Sequence, residues 1–214
     1  MFTLFLILLA GTVVLGISEF VRRHLKIRNE DSRKTYHVVH GLIMASAPFL
    51  VSYNIIIAME ALLILEMIAI KRFNLLPWLY KVGRVSWGEY FGVGAVILIA
   101  LMKPNKWVFL AAMLHLGIAD AVAALVGTRY GKNHQFKVFG QIKSIPGSLA
   151  FYGASVVITT VVIVAAQSGN DALLLLATVP ILATLAEAAS PFGSDNFVIP
   201  VLVVLVLNSL RFAS

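Results

Sequence analysis

An acidic residue inside an apolar stretch is the first candidate for chemistry in this sequence. Asp120 lies in the run GIADAVAALVGTRYGK, about two helical turns before that run becomes polar. A carboxylate at such a position is costly unless it meets a cation, a metal ion or water. Gly127 and Gly131 follow at helical spacing, so a stripe of small residues continues from the acid. Such a stripe can admit either a ligand or a neighbouring helix.

A second candidate is the segment 143–153, KSIPGSLAFYG, which has the pattern of a helix start. Ser144 can cap this helix, and Pro146 suits the first turn, where a missing N–H costs nothing. The positive end of the helix, with Lys143 beside it and close approach allowed at Gly147, could bind a phosphate group. An ordinary helix start with an interfacial lysine fits the same residues.

Two further acids flank a short polar link near the C-terminus. Glu187 ends one apolar run, and Asp195 begins the next together with Asn196. Asp195 could simply cap its helix, whereas Glu187 has no basic residue near it in sequence. Acids that converge at one membrane depth suggest a divalent cation, because oxygen ligands suit Mg²⁺.

Basic and histidine side chains share one helical face in the segment RKTYHVVHG. Arg33, His37 and His40 recur at the spacing i, i+4, i+7. These side chains could bind phosphate, or they could form a hydrogen-bonded cluster at the membrane interface. A zinc site is less favoured, because no third ligand lies nearby in the sequence. Glu60 lies well inside another apolar run, residues 54–70, and the sequence indicates no partner for it.

The composition indicates that membrane helices position these residues. Of the 214 residues, 60% are hydrophobic and only 13% are charged, and the mean hydropathy is +0.92. A soluble domain needs far more charge to cover its surface. The absence of cysteine excludes disulfides, thiol catalysis and Cys-based zinc sites. We predict an all-α polytopic integral membrane protein forming a single transmembrane domain, residues 1–214, and disfavour nucleic-acid binding.

The apolar runs predict about eight transmembrane helices, with seven to nine compatible with the pattern. The predicted spans are 2–20, 36–52, 54–70, 88–102, 107–127, 146–166, 172–188 and 197–211. The polar loops on one side are 21–35, 71–87, 128–145 and 189–196. Of the 17 Lys and Arg residues, all but Lys103, Lys106 and Arg211 lie on that side. This bias predicts that the loops face the cytoplasm.

Taken together, these segments resemble the dolichol kinase and phytol kinase family of CTP-dependent lipid-alcohol kinases, which is related to the CTP-using phosphatidate cytidylyltransferases. The matching residues are Arg33-Lys34, His37, Gly41, Asp120 with the following Ala-Val-Ala-Ala, Gly127, Gly131-Lys132, Lys143-Ser144, Gly147-Ser148, Glu187, Ser190, Asp195-Asn196 and Pro200. Their order and spacing agree across residues 33–201. Two positions depart from the family: Ala119 precedes Asp120 where the family often has Gly, and Pro146 replaces an acid.

The resemblance implies that the γ-phosphate of CTP passes to the hydroxyl of an isoprenoid alcohol at the cytoplasmic face. On this hypothesis the catalytic residues are three acids that also hold Mg²⁺, namely Asp120, Glu187 and Asp195, and Asp120 is either a metal ligand or the base. The residues expected to bind the nucleotide or its phosphates are Lys132, Lys143, Ser144, Gly147, Ser148, Gly127, Gly131, Arg33, His37 and Asn196.

Two other functions fit the sequence. A CTP:phosphatidate cytidylyltransferase would use the same nucleotide and metal, but the densely charged C-terminal signature of that family is missing. A small transporter or a scaffold belongs to a different class, and only Glu60 favours a path through the membrane. Dolichol, undecaprenol, phytol, geranylgeraniol and diacylglycerol all remain open as the lipid substrate.

Overall fold

A computed structural model of the chain describes Phe20, His24 and residues 29–75, 87–167 and 171–212. The helices in these ranges are α1 (Asn29–Leu50), α2 (Tyr53–Arg72), α3 (Gly88–Met102), α4 (Lys106–Leu114), α5 (Asp120–Tyr130), α6 (Ile145–Ala165), α7 (Ala172–Ala189) and α8 (Asp195–Ser209). A π-helical segment, His115–Ala119, joins α4 to α5 without a break in the helix. The fold class is therefore helical, as predicted.

The apolar helices agree with a membrane location. Four stretches are long and apolar enough to span a bilayer: Tyr53–Arg72, Lys106–Tyr130, Ile145–Ala165 and Ala172–Ala189. Shorter apolar helices occupy His37–Leu50, Gly88–Met102 and Asp195–Ser209. Each predicted span from 36–52 onward coincides with one of these, while the span 2–20 lies outside the described residues. The number of eight spans therefore stays a prediction.

One predicted loop contains more structure than its sequence indicated. Within 128–145, strands β1 (Gln135–Val138) and β2 (Gln141–Ser144) pair antiparallel, with Gln135 opposite Ser144. Phe139 and Gly140 form the turn, and both have a positive φ, which is the backbone geometry of a tight two-residue hairpin. The hairpin matters for function because it carries Lys143 back to the start of α6.

Two short links between predicted spans, at Tyr53 and at residues 103–106, meet at one end of the helices. The Tyr53 hydroxyl donates a hydrogen bond to the Pro104 carbonyl at 2.6 Å. Nearby, the Phe49 and Trp107 rings lie edge to face with their centroids 5.0 Å apart. The helix from Lys106 to Tyr130 runs from this end to the other, and Val108, Phe109 and Met113 are buried along it. The polar residues discussed below lie toward the far end.

The close packing of α5 against α6 depends on two glycines. A Cβ atom on Gly147 would lie 3.1 Å from the Ala123 carbonyl oxygen and 3.3 Å from Gly127 Cα. These distances are tighter than ordinary van der Waals contact with backbone, so a side chain here would push the helices apart. The packing places the start of α6 directly beside the last turns of α5.

Candidate active site

A polar cavity of about 470 Å³ lies at the end of the helices remote from Pro104. It is bounded by the end of α5, hairpin strand β2, the start of α6, the end of α7 and the start of α8. Two of the predicted polar loops, 128–145 and 189–196, therefore contribute to one cavity, together with His37 of α1. The predicted residues that line it are Asp120, Glu187, Asp195, Lys132, Lys143, Ser144, Gly127, Gly147, Ser148, His37 and Asn196.

Lys143 is the centre of charge in this cavity. Its Nζ atom lies 2.5 Å from Glu187 Oε1 and 3.6 Å from Asp195 Oδ2. Asp120 lines the same cavity, and its negative charge acts on both Lys143 and Asp195. Side chains from α5, β2, α7 and α8 therefore meet here, although they are up to 75 positions apart in sequence.

The surrounding acids keep Lys143 protonated. Burial lowers the pKa of this lysine, but the attraction of Glu187, then of Asp195, and the more distant charge of Asp120 outweigh it. The resulting pKa lies above the ordinary value of 10.5. An ammonium group held in this way is a fixed point charge that can bind a phosphate.

Two buried oxygen atoms in the cavity have no hydrogen-bond partner in the described part of the protein. Glu187 Oε2 and Ser148 Oγ have no hydrogen-bond partner within the described part of the chain. Leaving a buried polar atom without a partner costs free energy, so such atoms mark positions where a ligand is favoured. A carboxylate oxygen suits a cation, and a serine hydroxyl can donate to a phosphate oxygen.

At the cavity, side-chain oxygens accept hydrogen bonds from backbone N–H groups at the starts of α6 and α8. Ser144 Oγ accepts a hydrogen bond from the Gly147 N–H at 3.2 Å, as the sequence predicted for a capping serine. Asp195 Oδ1 accepts from the Asn196 N–H at 3.0 Å, while Oδ2 faces Lys143. Asp195 is the first residue of α8, and Ser194 holds the cap position, so the predicted capping role of Asp195 is wrong and its second oxygen contributes charge to the cavity.

The glycines predicted to admit a ligand also serve packing. Gly127 and Gly147 line the cavity and contact each other across α5 and α6. Gly131 lies just outside the cavity, and a Cβ atom there would lie 2.5 Å from Ser144 Cβ. The alternative of helix packing therefore has direct support at these positions. The Arg33 side chain lies outside the described residues, so its assignment stays a prediction.

The acids do not form a preformed metal site in the described part of the chain, although they could contribute oxygen ligands to a cation that arrives with a substrate. Within residues 29–75, 87–167 and 171–212, no group of three or more Asp, Glu or His side chains is arranged to hold a metal ion. Mg²⁺ in proteins is commonly held by one or two carboxylates together with substrate phosphates and water. The buried Glu187 Oε2 and the neighbouring Asp195 are suited to that arrangement.

Sequence reasoning missed two polar contacts inside the helices. Glu60, for which no partner was indicated, is buried and lies 2.9 Å from Nε2 of His40. His115 was not singled out, yet it is fully buried and its Nε2 lies 2.7 Å from Ser155 Oγ. The available signal was the same as for Asp120, namely a polar side chain inside an apolar run. Which residue it meets depends on how the helices pack.

The fold and the cavity define a helical membrane protein with a charged, ligand-sized site at one end of its apolar helices. No protein-family model and no solved structure matches the chain. A phytol kinase from Synechocystis sp. is 30% identical over 195 residues, which cover 89% of this chain and 83% of that protein. The chain therefore belongs to the phytol kinase and dolichol kinase family, a family of lipid kinases. The resemblance found in the sequence motifs is confirmed.

Proposed function

We propose that this protein is a CTP-dependent kinase that phosphorylates an isoprenoid alcohol at the cytoplasmic face of the membrane. The observation that carries the proposal is the cavity in which Lys143 contacts Glu187 and Asp195, with Asp120 on the same wall. Similarity to a phytol kinase makes phytol the first alcohol to test. The charged cavity at the end of apolar helices suits a reaction between a water-soluble nucleotide and a membrane-held hydroxyl.

The basic and hydroxyl groups of the cavity would bind the triphosphate. Lys143 is protonated, and Lys132 lines the cavity from the start of the hairpin segment. The unsaturated hydroxyl of Ser148, one turn into α6, can donate to a phosphate oxygen. The positive end of the α6 dipole favours negative charge at the same place. His37 and Asn196 also line the cavity and would contact the nucleotide or the transferred group.

The acids would hold Mg²⁺, which supplies charge neutralisation on the phosphate oxygens when it is bound. Glu187 and Asp195 are the proposed ligands, because they lie together and Glu187 keeps one oxygen unsaturated. In the free protein the single positive charge of Lys143 offsets part of the charge of these two carboxylates. Binding of the nucleotide would let Lys143 exchange a carboxylate partner for a phosphate.

Asp120 is the proposed base for the alcohol. It is the first residue of α5, within the long apolar helix Lys106–Tyr130, and it lines the cavity. In the reaction the alcohol oxygen forms a bond to the γ-phosphorus, the bond from that phosphorus to the β,γ-bridging oxygen breaks, and CDP leaves. The hydroxyl proton passes to the Asp120 carboxylate. The products are CDP and a lipid monophosphate.

The decisive experiment is a matrix of nucleotides and alcohols with the purified protein in lipid. CTP, ATP, GTP and UTP with a γ-phosphate label are each tested against phytol, geranylgeraniol, undecaprenol, dolichol and diacylglycerol. We expect transfer of label from CTP to an isoprenoid alcohol, dependence on Mg²⁺, and loss of transfer in Asp120→Asn. Full activity of correctly inserted Asp120→Asn would disprove the role of this residue, and ATP as the preferred donor would disprove CTP dependence.

Labelled CTP also separates the competing functions. A lipid product that contains the cytidine moiety would identify a cytidylyltransferase instead of a kinase. Uptake of a solute without any labelled lipid would favour a transporter. The pairing of Glu60 with His40 weakens the transporter alternative, because the deep acid has a structural partner between α1 and α2.

A further inference from the structure

The helix that carries Asp120 changes its geometry immediately before this residue. The Asp120 N–H donates to the carbonyl oxygen of His115, five residues earlier, which is the hydrogen bond of a π-helical turn. Such a turn accommodates one residue more than an α-helical turn. Since each residue of an α-helix advances about 100° around the axis, the extra residue reorients everything that follows. The π turn therefore helps to decide which direction Asp120 faces.

The His115 side chain connects this turn to α6. Its Nδ1 lies 2.8 Å from the Ala111 carbonyl oxygen, and its Nε2 lies 2.7 Å from Ser155 Oγ. A carbonyl can only accept, so Nδ1 carries the proton and Nε2 accepts from the Ser155 hydroxyl. Both residues are fully buried, with 0% of their surface exposed. A hydrogen bond between two buried side chains fixes the turn relative to α6.

The other side of the π turn packs against α1 through two glycines. A Cβ atom on Gly41 would lie 3.0 Å from Gly117 Cα, and one on Gly117 would lie 3.3 Å from Gly41 Cα. One turn before Gly41 on the same helix, His37 lines the cavity. The π turn is thus held between α1, which brings His37 to the site, and α6, which brings Ser148.

We infer that His115 and Ser155 are positioning residues that hold the π turn and thereby aim the Asp120 carboxylate into the cavity. Neither residue lines the cavity, so they act through Asp120 and not on a substrate. The inference rests on the proposed role of Asp120 in phosphoryl transfer. It assigns a function to two buried polar residues that the reaction itself does not use.

The first test removes the hydroxyl that bonds to His115. In Ser155→Ala we expect kcat to fall about tenfold, since Asp120 is no longer held in its productive orientation. The KM for CTP should be unchanged, because the lysines and the start of α6 remain in place. Ser155→Thr keeps the donor, and we expect it to recover kcat.

Thr159 provides a matched control on the same helix. It lies one turn beyond Ser155, is 4% exposed, and its hydroxyl has no partner within the described residues. Thr159→Val removes a buried hydroxyl of the same kind without touching the π turn. We expect its kcat to equal that of the wild type. A comparable loss of kcat in Thr159→Val would mean that α6 is merely sensitive to substitution, and would overturn the inference.

Thiol labelling gives a readout of helix orientation that is independent of turnover. The chain contains no cysteine, so Ala124→Cys introduces a unique thiol one turn after Asp120 on the cavity wall. A water-soluble maleimide should label it, and the rate should fall several-fold when Ser155→Ala is added. Adding Thr159→Val should leave the rate unchanged. Equal labelling rates in all three backgrounds would overturn the inference.

Asp120→Asn separates failure of this inference from failure of the proposed function. If Asp120→Asn retains full activity, the proposed role of Asp120 is wrong, and the role of the π turn in catalysis falls with it. If Asp120→Asn is inactive while Ser155→Ala matches Thr159→Val in both kcat and labelling rate, the proposed function stands and only the positioning role is wrong.

Discussion

Lys143 is the residue on which the charges of the cavity depend. It lies between the buried carboxylate of Glu187 and the half-buried one of Asp195, with Nζ 2.5 Å from Glu187 Oε1 and 3.6 Å from Asp195 Oδ2. Removing carboxylates from water is costly unless a positive charge lies beside them. The same ammonium group is well placed to move from carboxylate to phosphate when a nucleotide binds. Lys143 would therefore serve both the stability of the free site and the binding of substrate.

Neutralising Lys143 should abolish most activity. In Lys143→Gln we expect kcat/KM to fall about 100-fold or more, because a charged donor is lost and the carboxylates of Glu187 and Asp195 lose the cation between them. Lys137→Gln is the matched control, since Lys137 is an exposed lysine on the other strand of the same hairpin. Steady-state kinetics on both variants test the prediction. Equal losses in the two variants would show that overall charge, not the cavity contact, matters.

The raised pKa of Lys143 predicts how activity depends on pH. A lysine whose pKa in the folded protein exceeds 10.5 keeps its own positive charge at lower pH and loses it only as the pH rises through the raised pKa. Titration of Lys143 should therefore cause no loss of kcat/KM between about pH 6 and 9. Lys143→Arg should leave the shape of the pH–rate profile unchanged there. An alkaline decline that disappears in Lys143→Arg would contradict this.

At the scale of elements, the contact of α5 with α6 decides the shape of the cavity. In Gly147→Ala the new methyl group would meet Ser144 Oγ at 2.9 Å and the Ala123 carbonyl oxygen at 3.1 Å. We expect a stability loss of about 1–3 kcal/mol and reduced kinase activity, because the helices must separate. Melting temperature in detergent and phosphate transfer measure the two effects.

Gly153 on the same helix is the control for this substitution. A Cβ atom at Gly153 would meet nothing within 4 Å, so Gly153→Ala should leave activity unchanged. Its stability should be equal or slightly higher, since alanine favours the helix more than glycine does. If Gly153→Ala were as harmful as Gly147→Ala, close packing at Gly147 would not be the cause.

The contact between α1 and α2 makes a separate prediction. Glu60→Gln keeps an oxygen that can accept from His40, so we expect near-normal stability and activity. Glu60→Leu removes the acceptor and leaves the histidine without this partner, so stability should fall by about 1–3 kcal/mol. Thermal unfolding and phosphate transfer distinguish the two variants. Complete loss of activity in a stably folded Glu60→Gln would favour a direct role for this acid.

At the scale of the whole molecule, the exposed lysines at the two ends report orientation. Lys106 lies near the Tyr53–Pro104 contact, and Lys137 lies on the hairpin beside the cavity. Because the chain has no native cysteine, Lys106→Cys and Lys137→Cys each carry one thiol. A membrane-impermeant maleimide should label Lys137→Cys from the cytoplasmic side and Lys106→Cys from the opposite side. Labelling of both from one side would refute the proposed topology.

The sequence by itself determined the helical membrane class, the positions of the apolar helices that the structure describes, and the family. These follow from local properties: bilayer thickness fixes the length of apolar runs, and Ser144 with Pro146 marks a helix start wherever that helix packs. The order and spacing of the motif residues along the sequence also indicated the family. The N-terminal span 2–20 and the number of eight spans remain predictions.

The tertiary structure decided which of these residues meet. The loop that holds Lys143, residues 128–145, contains no acid, and the return of hairpin strand β2 brings this lysine to Glu187 and Asp195 on two other helices. Glu60 pairs with His40, which no sequence pattern indicated. The π turn before Asp120 lies in a run of apolar residues that gives no sign of it in sequence. Contacts between distant segments depend on helix rotation and packing, which the hydrophobic pattern of a membrane helix specifies only weakly because lipid and protein interior are equally apolar.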